Sequence, residues 1–176
     1  MHRARGMTLI EMVLAIVIVS IVLAASAPLI ANTFQSYIST RNALDTTSKA
    51  RLAVERIARE IRDVNFATGA YAFTSVNPGT TNTTSFIKTD GVTTVTVSTA
   101  LPQVLLGYSN FLAGLQQLLT DDVAALSFRY LREDLTNPGV TVANVRFVEI
   151  TLTLNVPNTA GGVHTERTRV ALRDKS

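Results

Sequence analysis

Between residues 12 and 40 the chain contains no Asp, Glu, Lys or Arg. Few features limit a fold so severely, because a long uncharged segment must find either lipid or a large protein interior. Its most apolar part, residues 12–31, is interrupted only by Ser20, Ser26 and Pro28. At about 1.5 Å per residue, a helix of that length spans about 30 Å, the hydrocarbon thickness of a bilayer. Arg3 and Arg5 lie just ahead of it. By the positive-inside rule they predict a cytoplasmic N-terminus and an exported C-terminal body.

Overall charge is a weaker guide. The formal net charge is +3 and the isoelectric point about 9.6. Without Arg3 and Arg5, Lys plus Arg falls from 16 to 14 against 13 acids, leaving +1. That balance gives no argument for nucleic acid as a partner. Cysteine is absent, which excludes a disulfide framework, a thiolate zinc site and a cysteine nucleophile. His164 is the one histidine beyond the apolar stretch, so the exported body has neither a histidine-based triad nor a multi-histidine metal site.

Three readings compete for the N-terminus. In a secretory signal peptide, Ala25, Ser26 and Ala27 would form the small-residue cleavage site. Pro28 would then follow the cut, where its ring fits a protease poorly, and Glu11 would have no purpose. In a plain signal-anchor, Glu11 simply snorkels to the membrane interface. The third reading is a processed leader. Residues 5–11, Arg-Gly-Met-Thr-Leu-Ile-Glu, resemble the processing motif of type IV prepilins and pseudopilins. In that family a basic leader ends in Gly, and a Glu stands five residues into the mature chain.

The resemblance makes Gly6 the residue before the cut and Met7 the new N-terminus, where most members carry Phe. Glu11 takes the place of the family's buried carboxylate, and Pro28 that of a proline 22 residues into the mature chain. It implies that a membrane-embedded prepilin peptidase cuts between Gly6 and Met7, and that the same enzyme methylates the Met7 amine. An ionised carboxylate among packed apolar helices is costly unless paired. Cleavage creates such a partner, the Met7 amine of the same or a neighbouring subunit, and the resemblance implies that Glu11 sets axial register during assembly. Pro28 leaves the Ala24 carbonyl without its usual helical donor. Whether it only kinks the helix, or marks a segment that loosens on packing, stays open in the sequence.

Beyond residue 31, Phe34, Tyr37, Ile38, Leu44, Leu52, Val54, Ile57, Ile61 and Val64 keep mostly helical spacing. Arg51/Glu55, Arg56/Glu60 and Arg59/Asp63 stand four residues apart on what reads as a solvated face. One helix over residues 8–65 is expected, followed by strands. Residues 70–76 form a strand candidate closed by Asn77-Pro78-Gly79. Residues 85–89 and 92–98 flank an Asp90-Gly91 turn suited to a two-residue hairpin. Residues 110–120 read as a short helix. Residues 124–132, 145–156 and 163–172 read as an antiparallel sheet with a helix on one face. Asp121-Asp122 and Glu133-Asp134 lack calcium-loop spacing and read as solvated strand ends. The Thr-rich residues 80–99 read as an exposed hairpin.

The expectation is an α+β, pilin-like fold: a long N-terminal membrane-spanning helix packed on a C-terminal antiparallel β-sheet. Its segments are a cleaved leader at 1–6, a transmembrane half-helix at 7–31, an exported amphipathic half at 32–66 and a β-rich domain at 67–176. The resemblance implies a minor pilin or pseudopilin of the bacterial inner membrane, built into a type IV pilus or a type II secretion pseudopilus. Its partners are prepilin peptidase, other subunits, the assembly platform and, before assembly, the bilayer. Residues 121–131 and the closing Val-Ala-Leu-Arg-Asp-Lys resemble the J-type pseudopilin and MSHA-biogenesis groups. No enzyme activity, cofactor or metal is expected. The rival is a signal-anchored binding subunit, outside any filament, that recognises DNA, a surface or a secreted protein.

Overall fold

A computed structural model describes residues 7–74, 76, 80–111, 115–137 and 139–173. One helix, α1, runs over Leu9–Arg62. It belongs to two compact units that divide between Arg41 and Asn42. In the first unit it is the only regular element among the described residues, and it is long and apolar enough to cross a membrane. No residue of that apolar stretch is buried. Ser20, Ser26 and Thr33 return their hydroxyls to the carbonyls of Ile16, Val22 and Leu29, at 2.7–2.8 Å. Small polar side chains thereby cost an apolar helix little.

The second unit begins with the rest of α1. Its buried stripe comprises Thr46, Ala50, Ala53, Val54, Ile57, Ala58, Glu60 and Ile61. Three alanines in that stripe add little bulk, while Val54, Ile57 and Ile61 supply the larger apolar side chains. Arg59 and Arg62 fall in the last turn, where cations suit the carbonyl end of the helix dipole. The helix ends three residues before the expected limit. Val64 forms a bridge with Lys88 and Asn65 donates its N–H to the Ile87 carbonyl, so strand pairing takes over the chain.

A small hairpin follows, β1 (Phe66–Ala67) and β2 (Ala70–Tyr71). Thr68 and Gly69 turn it with φ of 52° and 79°, the left-handed pair that matches strand twist. The strand expected over 70–76 is therefore shorter, continued only by a bridge between Phe73 and Phe86. The turn expected at Asn77-Pro78-Gly79 lies outside the described residues.

Two four-stranded antiparallel sheets complete the unit. One has the order β4 (Thr84–Ile87), β5 (Thr94–Ala100), β6 (Gln103–Tyr108), β7 (Gln116–Thr120). The other has the order β10 (Val163–Ala171), β9 (Phe147–Asn155), β8 (Val123–Leu131), β3 (Thr80–Thr81). The last three long strands pair as neighbours, as their alternation predicted. Leu126, Phe128 and Tyr130 of β8, and Val148, Ile150, Leu152 and Leu154 of β9, are all buried. Phe73 meets Phe86 and Tyr130 edge-on, with ring centroids 5.7 and 5.4 Å apart. The Tyr130 hydroxyl meets Thr84 Oγ1 at 2.8 Å, so this deep polar group is satisfied.

Two local expectations need correction. Strands β4 and β5 are not joined by a two-residue turn. The Asp90 carboxylate accepts the N–H groups of Val92 and Thr93 at 2.9 and 2.8 Å, and Gly91, with φ of 72°, donates to the Lys88 carbonyl. Asp90 thus organises a wider turn by local side-chain bonding. The helix expected over 110–120 is also absent where the chain is described, since residues 116–120 form β7; residues 112–114 lie outside the description. The open edge of β6 offered these residues ladder bonds, and Leu119 packs on the core while Leu118 points outward. Tertiary pairing overrode a weak helical pattern.

Ile57 is 0% exposed and Leu52, on the same helix, is 67% exposed. Ile57→Ala is expected to cost about 2–5 kcal/mol of domain stability through the cavity it leaves. Leu52→Ala should change it by less than about 0.5 kcal/mol. Urea melts of the two variants in detergent micelles would check this, and equal losses would contradict the assigned core face.

Candidate functional site

Met7 and Thr8 precede the first helical residue, and the side chain of Glu11 reaches back to Thr8. Thr8 is the N-cap. Its carbonyl accepts the N–H groups of Glu11 and Met12, at 3.1 and 3.2 Å. Its hydroxyl accepts the Glu11 N–H at 3.4 Å, while Glu11 Oε2 accepts the Thr8 N–H at 3.3 Å. This reciprocal arrangement is a capping box, Thr-x-x-Glu, in which two orphan donors of the first turn are satisfied. A carboxylate there also complements the positive end of the helix dipole. The sequence reading singled out Glu11 but overlooked Thr8, although the spacing Thr8-Leu9-Ile10-Glu11 carried the signal.

Met7 is 66% exposed, and Glu11 is exposed beside it. Behind them Leu9, Ile10, Val13, Leu14 and Val17 present open apolar surface. Pro28 lies inside α1, which remains assigned as helix on both sides of it. Gly6, on the other side of the expected cut, lies outside the described residues. The structure thus brings Met7, Thr8 and Glu11 together at one helix end, with Pro28 farther along the same helix.

A second set of charges joins the later part of α1 to the sheets, and here the expected solvated face needs revision. The pairs Arg51–Glu55 and Arg56–Glu60 form, each at 3.0 Å. Glu60, however, is buried, and it also accepts from Lys88 Nζ at 3.2 Å and from the Tyr108 hydroxyl at 2.9 Å. Asp63 turns from Arg59 to Lys88 at 3.0 Å and to the Thr89 hydroxyl. The Thr89 bond leads in holding the Asp63 carboxyl below its ordinary range, against burial. Burial disfavours the Lys88 ammonium, but the bonds to Asp63 and Glu60 outweigh it and leave the Lys88 pKa raised.

Asp121 and Asp122 are not simply solvated either. Lys49 Nζ lies 3.1 Å from Asp121, 3.7 Å from Asp122 and 3.8 Å from Asp45. The Asp121 bond raises the Lys49 pKa against the opposing effect of burial. Among the described residues no cluster of His, Asp and Glu has the arrangement of a metal site. On the far face of β9, Glu149 is only 5% exposed and is held by Arg167 at 2.6 Å and Arg169 at 3.1 Å. Burial would raise its pKa, but the two guanidiniums prevail and lower it.

A family model described as the prokaryotic N-terminal methylation motif matches residues 1–27. That match supports the family of type IV pilins and pseudopilins, whose members are structural rather than catalytic. It fits an anchored single-pass protein and implies processing by prepilin peptidase and association with other subunits. The α+β, pilin-like architecture agrees with it, with the long helix and the antiparallel sheets both in place. No curated protein matches the chain.

The lowered Glu149 pKa has a consequence for stability. A carboxyl whose folded pKa lies below its ordinary 4.5 stabilises fully above that value and loses its contribution as pH falls through the folded value. Glu149→Gln should therefore lower stability at pH 7 by about 1 kcal/mol, a figure discounted because both guanidiniums remain in contact with water. The difference from the unsubstituted chain should shrink below pH 4.5. Urea melts at neutral and acid pH test this, and a pH-independent difference would contradict it.

Proposed function

We propose that the chain is a minor pilin or pseudopilin subunit, cut between Gly6 and Met7, methylated at the Met7 amine and assembled into a filament through Glu11. The observation that carries this reading is the capped start of an apolar helix whose membrane-length stretch is unburied among the described residues. Such a surface calls for lipid first, or for other apolar helices. Residues 1–6 are then the leader, 7–31 the transmembrane half of the helix, 32–66 the exported half and 67–176 the globular domain. The N-terminus faces the cytoplasm and the body is exported, as the basic leader predicts.

In this reading Glu11 first serves the helix cap, through contacts of 3.3 and 3.4 Å that leave its carboxylate open to a stronger partner. Cleavage supplies the Met7 amine. In the low dielectric of packed helices, pairing that amine with Glu11 favours one axial register, and an unpaired carboxylate penalises the others. Pro28 interrupts the bonding ladder one bilayer thickness along, where a change of helix packing costs least. The J-type or MSHA-biogenesis-like subgroup rests on the resemblance of residues 121–131 and of the closing Val-Ala-Leu-Arg-Asp-Lys.

Intact mass and N-terminal sequencing of protein recovered from bacterial membranes test the processing. A chain beginning at a methylated Met7 is expected, whereas one retaining residues 1–6 in cells with active prepilin peptidase would refute it. Gly6→Leu should block the cut. Glu11→Gln should still insert and be processed, yet enter filaments at least about tenfold less, since an unpaired buried amine costs several kcal/mol. Normal incorporation of Glu11→Gln would remove the register role.

A further inference from the structure

The second sheet ends in β10, whose outer edge has no neighbour among the described strands. Its ladder with β9 fixes which backbone groups are spent. Val156 donates its N–H to the Gly162 carbonyl at one end, and Leu172 donates to the Arg146 carbonyl at the other, at 2.8 and 2.9 Å. Both bonds lie on the continuous register of β9 and β10, so the even-numbered residues of β10 occupy the hydrogen-bonded pairs. The N–H and C=O groups of Val163, Thr165, Arg167, Arg169 and Ala171 therefore point away from β9. All five residues are exposed.

A groove of about 450 Å³ runs beside this edge, between β10 and α1. Val54 and Ala58 line its apolar depth, Arg51, Glu55, Arg59 and Arg62 form one wall, and Glu166 and Thr168 form the other. Its charge is unevenly spent. Arg51 bonds to Glu55, and Glu166 stands 3.6 Å from His164 Nε2. Arg59 and Arg62 have no carboxylate within ion-pairing distance among the described residues. On the opposite face of β10, Glu149 is already shared by Arg167 and Arg169.

We propose that the β10 edge and the arginine-walled groove bind an extended, acidic segment of a partner protein as an added β-strand. The ordering of such a strand is offset by the free backbone groups of β10, which supply a ladder. Its side chains alternate between faces, so acidic residues at every second position reach Arg59 and Arg62. A second copy of this edge is a poor occupant, because antiparallel self-pairing brings Arg167 and Arg169 of one copy against those of the other. Edge charges commonly guard against indiscriminate pairing. Here, with two arginines unpaired, they select the sign of the incoming strand. This surface lies outside the processing and register machinery and does not rest on it.

The test uses the full chain in detergent micelles and a short fluorescent peptide alternating Thr and Glu. Its controls are a Thr/Lys counterpart and a Thr/Glu peptide N-methylated at alternate amides. The acidic peptide should bind and the Lys peptide should not. N-methylation of the alternate amides that face β10 should weaken binding at least about tenfold, as should Arg59→Glu combined with Arg62→Glu. Thr165→Pro should do the same, since it removes an outward N–H while sparing the β9 ladder. If Thr165→Pro disturbs the fold, the N-methylated peptides, used on the unaltered chain, decide. Absence of binding would overturn the proposal. So would binding indifferent to N-methylation, which would reveal charge attraction without strand addition.

Discussion

Everything in this molecule depends on α1 having two solvents. Up to Ile38 its large apolar side chains are exposed, while from Thr46 onward the same helix carries a buried stripe. Each apolar side chain left in water forgoes about 1.5–3 kcal/mol relative to full burial. A stretch of such residues, each exposed, cannot be the resting state of a water-soluble surface. Lipid or neighbouring helices must supply the missing burial, and the chain's own domain supplies it only for the later turns.

That division explains why the later turns are held by polar contacts as well as by packing. Ala50, Ala53 and Ala58 are buried but contribute little apolar area each. Lys49 reaches the start of β8 through Asp121 and Asp122, and Glu60 ties the helix end to Lys88 and Tyr108. The Glu60 cluster is the more consequential, because its carboxylate is buried and receives three donors. Exposed pairs such as Arg51–Glu55 contribute far less. Buried charge also specifies one register of helix on sheet, since a shift of one turn would strand Glu60 without partners.

The parts of this fold that were legible in the sequence are those where one pattern dominates. The apolar run with the helical spacing beyond it gave the helix to within three residues, and alternation gave the three long strands of the second sheet to within two. Residues 110–120 misled because Leu112, Leu115, Leu118 and Leu119 mimic helical spacing, whereas pairing with β6 depends on an edge that sequence does not display. Glu60 and Asp63 were misjudged for a related reason. Four-residue spacing puts each beside an arginine, but burial is decided by Lys88 and Tyr108, far away in the chain. The capping box was readable from the spacing of Thr8 and Glu11 alone.

The capping by Glu11 and its proposed role in assembly are physically linked. A protease needs an extended backbone at its cut, and a helix hides its backbone in internal bonds. Thr8, by capping, starts the helix at Leu9 and leaves Met7 non-helical. In the processing reading, the cut falls on the N-terminal side of Met7, which precedes the first helical residue, and glycine offers no side chain to obstruct a protease. The cut then places a new positive charge at the positive end of the helix dipole, an unfavourable site unless a carboxylate lies within a turn. Glu11 is that carboxylate. Its bonds to Thr8 are long enough to yield, so under the proposed processing the residue that completes the Thr8 cap is also the one placed to receive the amine.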